Sequence, residues 1–295
     1  MALEFFAGPH RSYLRLAVAV GAAGMALLSA SAAWGIETPE ERGAYLVNGI
    51  GSCGNCHSPK GPDGLPTEPG LTGGAAMSSP AFEAYPPNLT SAPDSGLGRW
   101  SVAQIVTALR EGRTPNGAVL RPPMPVAFYR RMSDSDAQAI AAYLKSTVPV
   151  ENKVPQAEYK IATPTSSGPP LGVNPDIPRE DPVAYGAYLG QIGHCMLCHT
   201  PLGSNGQQDY ANRSGAGGRE VEGIVSPNIT PDKATGIGGW TDQEIKTALT
   251  TGTRPDGTQL APPMPWYYFK NMTNADISAI TAWLRSLKPV VNAVR

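Results

Sequence analysis

The chain has 295 residues, 41% hydrophobic and 16% charged, with 33 glycines, 30 prolines and a formal net charge of −1. A length of this order holds about two domains, and so much glycine and proline implies long irregular stretches. The near-neutral balance excludes the strongly basic footprint of a nucleic-acid binder.

The first element in chain order is a targeting segment. His10, Arg11 and Arg15 form a weakly basic start, an apolar run covers 16–30, and Ala30-Ser31-Ala32 is an A-x-A-like cleavage site. The run is short for the roughly 20 residues that span a bilayer. Residues 1–32 therefore read as a signal peptide, and the mature protein as exported to the periplasm. An uncleaved anchor on the membrane is the alternative, because Ala33 and Trp34 prolong the apolar stretch.

A helix is predicted over 38–50, followed at once by Cys53-Gly54-Asn55-Cys56-His57. Then come Pro87-Asn88-Leu89-Thr90 and Gly96-Leu97-Gly98-Arg99-Trp100. Ser101 is the expected N-cap of a middle helix that carries Ile105, Val106 and Leu109 and ends near Gly112. Pro122-Pro123-Met124-Pro125 precedes a last helix over 133–145, which opens on the capping pattern Ser133-x-x-Asp136. Residues 153–180 hold Pro155, Pro164, Pro169, Pro170, Pro175 and Pro178, so this stretch is an extended, semi-rigid linker lying over both domains.

The second half repeats the first. Gly43-Ala44-Tyr45-Leu46 recurs as Gly186-Ala187-Tyr188-Leu189 in a helix predicted over 182–191, and the cysteine motif recurs as Cys195-Met196-Leu197-Cys198-His199. Pro227-Asn228-Ile229-Thr230, Trp240, the N-cap Thr241, Pro262-Pro263-Met264-Pro265 and a helix over 273–287 follow at nearly constant offset. The predicted organisation is a signal peptide (1–32), a first domain (33–152), a linker (153–180) and a second domain (181–295).

The two Cys-x-x-Cys-His motifs use all four cysteines of the chain. Two thiols one helical turn apart can add across the two vinyl groups of one porphyrin, and the adjacent histidine supplies the proximal iron ligand. The expected cofactors are two covalently bound haem c groups, attached at Cys53 and Cys56 and at Cys195 and Cys198. A zinc or redox-thiol site is the weaker reading, because zinc would need further cysteine or histidine ligands in each domain.

For the sixth iron position few histidines are left. His10 lies in the signal segment, His57 and His199 are proximal, and His194 is held against its own attachment turn. Two repeated methionine pairs compete. Met132 and Met272 stand just before helix N-caps, where an apolar residue packs back onto its helix, so they read as core filler. Met124 and Met264 sit between prolines that stiffen the loop and fix the side chain. The assigned pairs are His57 with Met124 and His199 with Met264. His/Met ligation tends to raise the reduction potential and leaves no open coordination site, which favours electron transfer over catalysis.

On these motifs the chain resembles a di-haem class I-type cytochrome c, over about 38–150 and 181–292. That resemblance implies an all-α fold of two tandem helical domains, each wrapped around one haem with long loops. It also implies that Gly43 and Gly186 pack against Tyr143 and Trp283. The Asn-Leu-Thr, Gly-x-Gly-x-Trp and Met-Pro pattern is similar, more narrowly, to cytochrome subunits of bacterial periplasmic alcohol and gluconate dehydrogenases. Those usually carry three haem motifs where this chain has two. The implied partners are a periplasmic dehydrogenase as donor and an oxidase, a quinone or a small cytochrome as acceptor, with no nucleic acid. Membrane association would come through an uncleaved N-terminus or a partner. Trp100, Trp240, Asn88 and Asn228 are either haem-propionate donors or a buried aromatic and a turn-forming amide. Tyr45 and Tyr188 read as core residues. The competing function is a di-haem enzyme such as a peroxidase, which needs an iron with an open site and an acid–base residue above it.

Overall fold

The computed structural model describes residues 37–160, 162, 168, 169 and 171–294; the expected signal segment lies outside them. The first half runs α1 (Pro39–Asn48), α2 (Gly54–His57), β1 (Met77–Ser79), β2 (Phe82–Ala84), α3 (Val102–Glu111), α4 (Val126–Tyr129) and α5 (Asp134–Ser146), and then β3 (Glu158–Tyr159). The second runs α6 (Pro182–Ile192), α7 (Cys195–His199), β4 (Glu220–Val221), β5 (Ile224–Val225), α8 (Asp242–Thr251), α9 (Trp266–Phe269) and α10 (Asn274–Ser286). This is the all-α tandem architecture expected, with a small three-stranded antiparallel sheet (β1-β2-β3) and one hairpin (β4-β5) added. No described helix is long and apolar enough to cross a membrane.

Local chemistry sets the helix ends. Thr38 and Glu41 form a reciprocal capping box at the start of α1, as Ser101 and Gln104 do for α3 and Thr241 and Glu244 for α8. Gly112 and Gly252 end α3 and α8 in the left-handed region, with φ of 65° and 72°. The expected α5 and α10 caps are half realised. Ser133 and Thr273 accept from the amides of Asp136 and Asp276, but neither carboxylate turns back to its own cap. Asp276 instead accepts from Tyr45 of the other domain, and Asp136 from Tyr188 of the other domain and Arg42 of its own.

Within each domain the first helix crosses the last at a glycine. A Cβ on Gly43 would overlap Ala139 O and come within 2.7 Å of Tyr143 Cβ. One on Gly186 would overlap Ala279 O and come within 2.9 Å of Trp283 Cβ. The crossing buries Leu46, Val47, Ile140 and Leu144 in one domain and Leu189, Ile280 and Leu284 in the other. Each such side chain contributes about 1.5–3 kcal/mol.

The domains pack through an approximate two-fold exchange. Tyr45 of α1 donates its hydroxyl to Asp276 Oδ2 at 2.7 Å and accepts the Thr273 amide at 3.1 Å. Tyr188 of α6 does the same with Asp136 Oδ2 (2.6 Å) and the Ser133 amide (3.2 Å). The two tyrosines are thus interdomain clasps rather than plain core residues. Arg42 grips Asp136 of its own domain with two nitrogens, at 2.8 and 3.0 Å, and donates across the interface to the Tyr185 hydroxyl at 3.4 Å.

The linker is less passive than its proline content suggests. Asn152 donates to Thr72 O at 2.7 Å, β3 adds to the edge of β2 with Phe82 opposite Tyr159, and Asn174 donates to Arg130 O and Met132 O. It lies chiefly on the first domain and reaches the second where the Arg179 guanidinium sits 5.5 Å over the Tyr185 ring.

Candidate haem sites

Each Cys-x-x-Cys-His motif folds as a short helix, α2 or α7, so both thiols and the histidine project from one turn. His57 and His199 are buried. Their Nδ1 atoms lie 2.7 and 2.8 Å from Pro87 O and Pro227 O. A carbonyl can only accept, so Nδ1 carries the proton in both rings and the Nε2 lone pair is left for a metal. Burial also lowers both imidazole pKa values, which keeps the rings neutral. These are the tautomer and charge that an iron ligand needs. The prolines that fix them belong to the repeated Pro-Asn-(Leu/Ile)-Thr segment.

No disulfide joins the four cysteines. Burial pushes Cys53 and Cys195 up to about 12 and Cys56 up to about 11. Among the described residues no cluster of three His, Cys, Asp or Glu is placed to hold a metal ion. In each domain two cysteines without a disulfide and a buried histidine with Nε2 left free share one turn, and this donor set fits a covalently attached haem.

The Met124 and Met264 loops have matching backbones. Met124 donates its amide to Arg121 O and accepts from the Val126 amide, at 3.2 and 3.0 Å; Met264 does so with Ala261 and Trp266 at the same distances. Both thioethers are half-buried against the core. Met132 and Met272, by contrast, are buried under the ends of α4 and α9. α4, into which the Met124 loop leads, lies on the first motif. The Tyr129 phenol there is pushed up by burial, with the neighbouring Cys53 and Cys56 thiols adding to it.

Asn88 and Asn228 serve the protein itself. The Asn88 amide donates to Val150 O and Ser95 Oγ, and its oxygen accepts from the Thr90 amide and hydroxyl at 2.8 and 2.7 Å. Asn228 repeats this with Val290, Thr235 and Thr230. With every donor and acceptor engaged, neither side chain has a bond left for a propionate. Trp100 and Trp240 are partly buried against the core. Arg113 and Arg254 are out of register, since Arg113 and Thr253 occupy the equivalent bridges to Val119 and Gln259.

The two motifs meet across the domain interface. α1 and α6 end side by side, and a Cβ on Gly193 would lie 2.8 Å from Ile50 Cδ1. Asn55, inside the first motif, donates to Pro263 O in the Met264 loop and accepts from Tyr267. His194, beside the second motif, stacks edge-on to Tyr129 with centroids 6.3 Å apart. Lys60 and Glu222 form an ion pair across the same junction at 3.7 Å. Sequence reasoning found the motifs but none of these contacts, because nothing in a linear repeat says which face of one copy meets the other.

Comparison with known proteins agrees with this geometry. A family model described as cytochrome c matches twice, over 41–147 and 183–288. The cytochrome c subunit of the quinone alcohol dehydrogenase of Komagataeibacter europaeus is 32% identical over 307 residues, covering 94% of this chain and 62% of that protein. The gluconate 2-dehydrogenase cytochrome c subunit of Pantoea cypripedii is 32% identical over 84% of this chain and 59% of its own length. A diheme cytochrome c-type protein of Cereibacter sphaeroides is 29% identical over 81% of this chain and 83% of its own. The chain thus spans about three-fifths of the two dehydrogenase subunits and most of the diheme protein.

Proposed function

The chain belongs to the cytochrome c family, with two of its domains and two covalent haem c groups, and from that premise we propose that it is an electron relay between a periplasmic dehydrogenase and a downstream acceptor. The observation that carries this reading is the meeting of the two attachment motifs at the domain interface, through Ile50–Gly193 and Asn55–Pro263. Groups held at these motifs would lie near one another, as an electron relay requires, and the faces of each domain away from the interface would be left to donor and acceptor.

When bound, each haem supplies a one-electron iron couple. The protein's part is to hold the ligands. His57 and His199 offer Nε2 while Pro87 and Pro227 fix their rings; Met124 and Met264 offer thioether sulfur from stiff loops. Held by both a histidine and a methionine, an iron would have no site left for a substrate, which suits transfer without bond chemistry. The donor class is inferred from relatives named as alcohol and gluconate dehydrogenase subunits; the acceptor is an oxidase, a quinone or a small cytochrome. Export to the periplasm, by way of the signal segment at 1–32, supports covalent haem attachment outside the cytoplasm.

A pyridine haemochrome assay is expected to give two haems per chain. Met124→Ala is expected to lose half of the methionine–iron charge-transfer band and Met264→Ala the other half. Full retention in either variant overturns that ligand pair. Stoichiometric cyanide binding or peroxide turnover by the reduced wild-type protein would instead favour a di-haem enzyme.

A further inference from the structure

We infer that the linker is a strap holding the Met124 loop, that Tyr159 is its positioning residue, and that the Met264 loop is held by an unrelated device built on Trp266. The inference rests on the His/Met reading above. Tyr159 is fixed from behind, because β3 pairs with β2, the Lys160 amide donates to Ala81 O at 2.9 Å, and the Phe82 ring lies 5.9 Å away. In front it engages two consecutive loop residues. Its hydroxyl donates to Pro122 O at 2.9 Å, and the Arg121 guanidinium stacks on its ring at 3.7 Å from the centroid. Both residues lie within three positions of Met124. Farther on, the same strap fixes the loop's exit, where Asn174 donates to Arg130 O at 2.8 Å and the Arg130 guanidinium donates to Pro169 O.

Among the described residues the linker makes no such contact with the Met264 loop, whose outside contact is instead Asn55 of the first domain, donating to Pro263 O. Ala261 stands where Arg121 does, and Trp266 where Val126 does. The Trp266 indole donates to Leu260 O at 3.2 Å and fills the space over Gly252, where a Cβ would lie 2.8 Å from the ring. The Trp266 brace comes from within the domain, and neither it nor the Asn55 bond involves the linker. The Met124 loop takes its brace from the linker.

The distinction matters because a thioether is a weak iron ligand whose hold depends on how little freedom its loop has. The Met124 bond is therefore sensitive to the linker, and the Met264 bond is not.

The test is displacement by exogenous imidazole in the full-length, haem-loaded protein, followed on the methionine–iron band. In a Met264→Ala background the remaining band reports Met124, and in a Met124→Ala background it reports Met264. Tyr159→Ala should tighten imidazole binding in the first background by roughly three- to tenfold, the range that one hydrogen bond and one stacked cation carry. Tyr159→Phe, which keeps the ring, should fall between it and the wild type. Trp266→Phe should act only in the second background. An unchanged imidazole midpoint for Tyr159→Ala, or an equal shift in both backgrounds, overturns the strap. If Tyr159→Ala fails to load haem, Tyr159→Phe and Arg121→Ala carry the same comparison. A band that survives whole in the Met264→Ala parent would instead sink the His/Met reading itself.

Discussion

At the residue scale the haem sites depend on polar groups that never touch a haem. The proximal histidines take their tautomer from proline carbonyls, and the segments bearing those prolines are tied down by Asn88 and Asn228. Asn88 reaches Val150 O at 2.7 Å, so it joins the turn after the first motif to the chain leaving α5. Replacing it by alanine would take the acceptor from the buried Thr90 amide and leave Val150 O only its longer bond from the Thr90 hydroxyl, at a cost of about 1–3 kcal/mol. A thermal melt of Asn88→Ala should show a marked fall in Tm while the methionine–iron band of the folded protein is kept. Loss of a haem signal without loss of stability would return Asn88 to the role of a direct haem contact.

At the scale of elements, the α1–α5 and α6–α10 crossings fix where the motifs lie, since each motif follows directly on the first helix of its pair. Gly43 and Gly186 permit the approach because any side chain would enter the backbone of the partner helix. Gly43→Ala must therefore separate two packed helices rather than shift a flexible neighbour, and the expected penalty is about 3 kcal/mol or more. The yield of haem-loaded protein is the measurement, and wild-type yield and stability would show that the crossing can give way. The capping boxes act on the same scale but more weakly. They decide where α1, α3 and α8 start and leave the crossing to the glycines.

For the whole molecule, the reciprocal bonds of Tyr45 and Tyr188 make one unit of two homologous domains. Burial, followed by the bond to Asp276, pushes the Tyr45 phenol up to about 12, so it remains a donor throughout the ordinary pH range. Tyr45→Phe and Tyr188→Phe should each cost about 1–2 kcal/mol. Combined, they should turn a single denaturant transition into two, one for each domain. A single unshifted transition in the double variant would show that apolar contacts such as Ile50 against Gly193 hold the domains together unaided.

The haem count, the two-domain repeat and the helix caps were legible in the sequence, because each is a matter of local spacing that recurs in both halves; the glycine crossings were implied by the family resemblance. Asp136 and Asp276 were legible only as caps, and Tyr45 and Tyr188 only as core. Their partners lie 52 and 231 positions away, and no periodicity encodes a surface shared between two copies. Asn88 and Asn228 were likewise ambiguous until their bonds to Val150 and Val290 were seen. By itself the sequence determined what each domain is. The tertiary structure decided how the two motifs face one another, and that one methionine loop is held by its own tryptophan and the other by the linker, since those contacts join segments that only packing brings together.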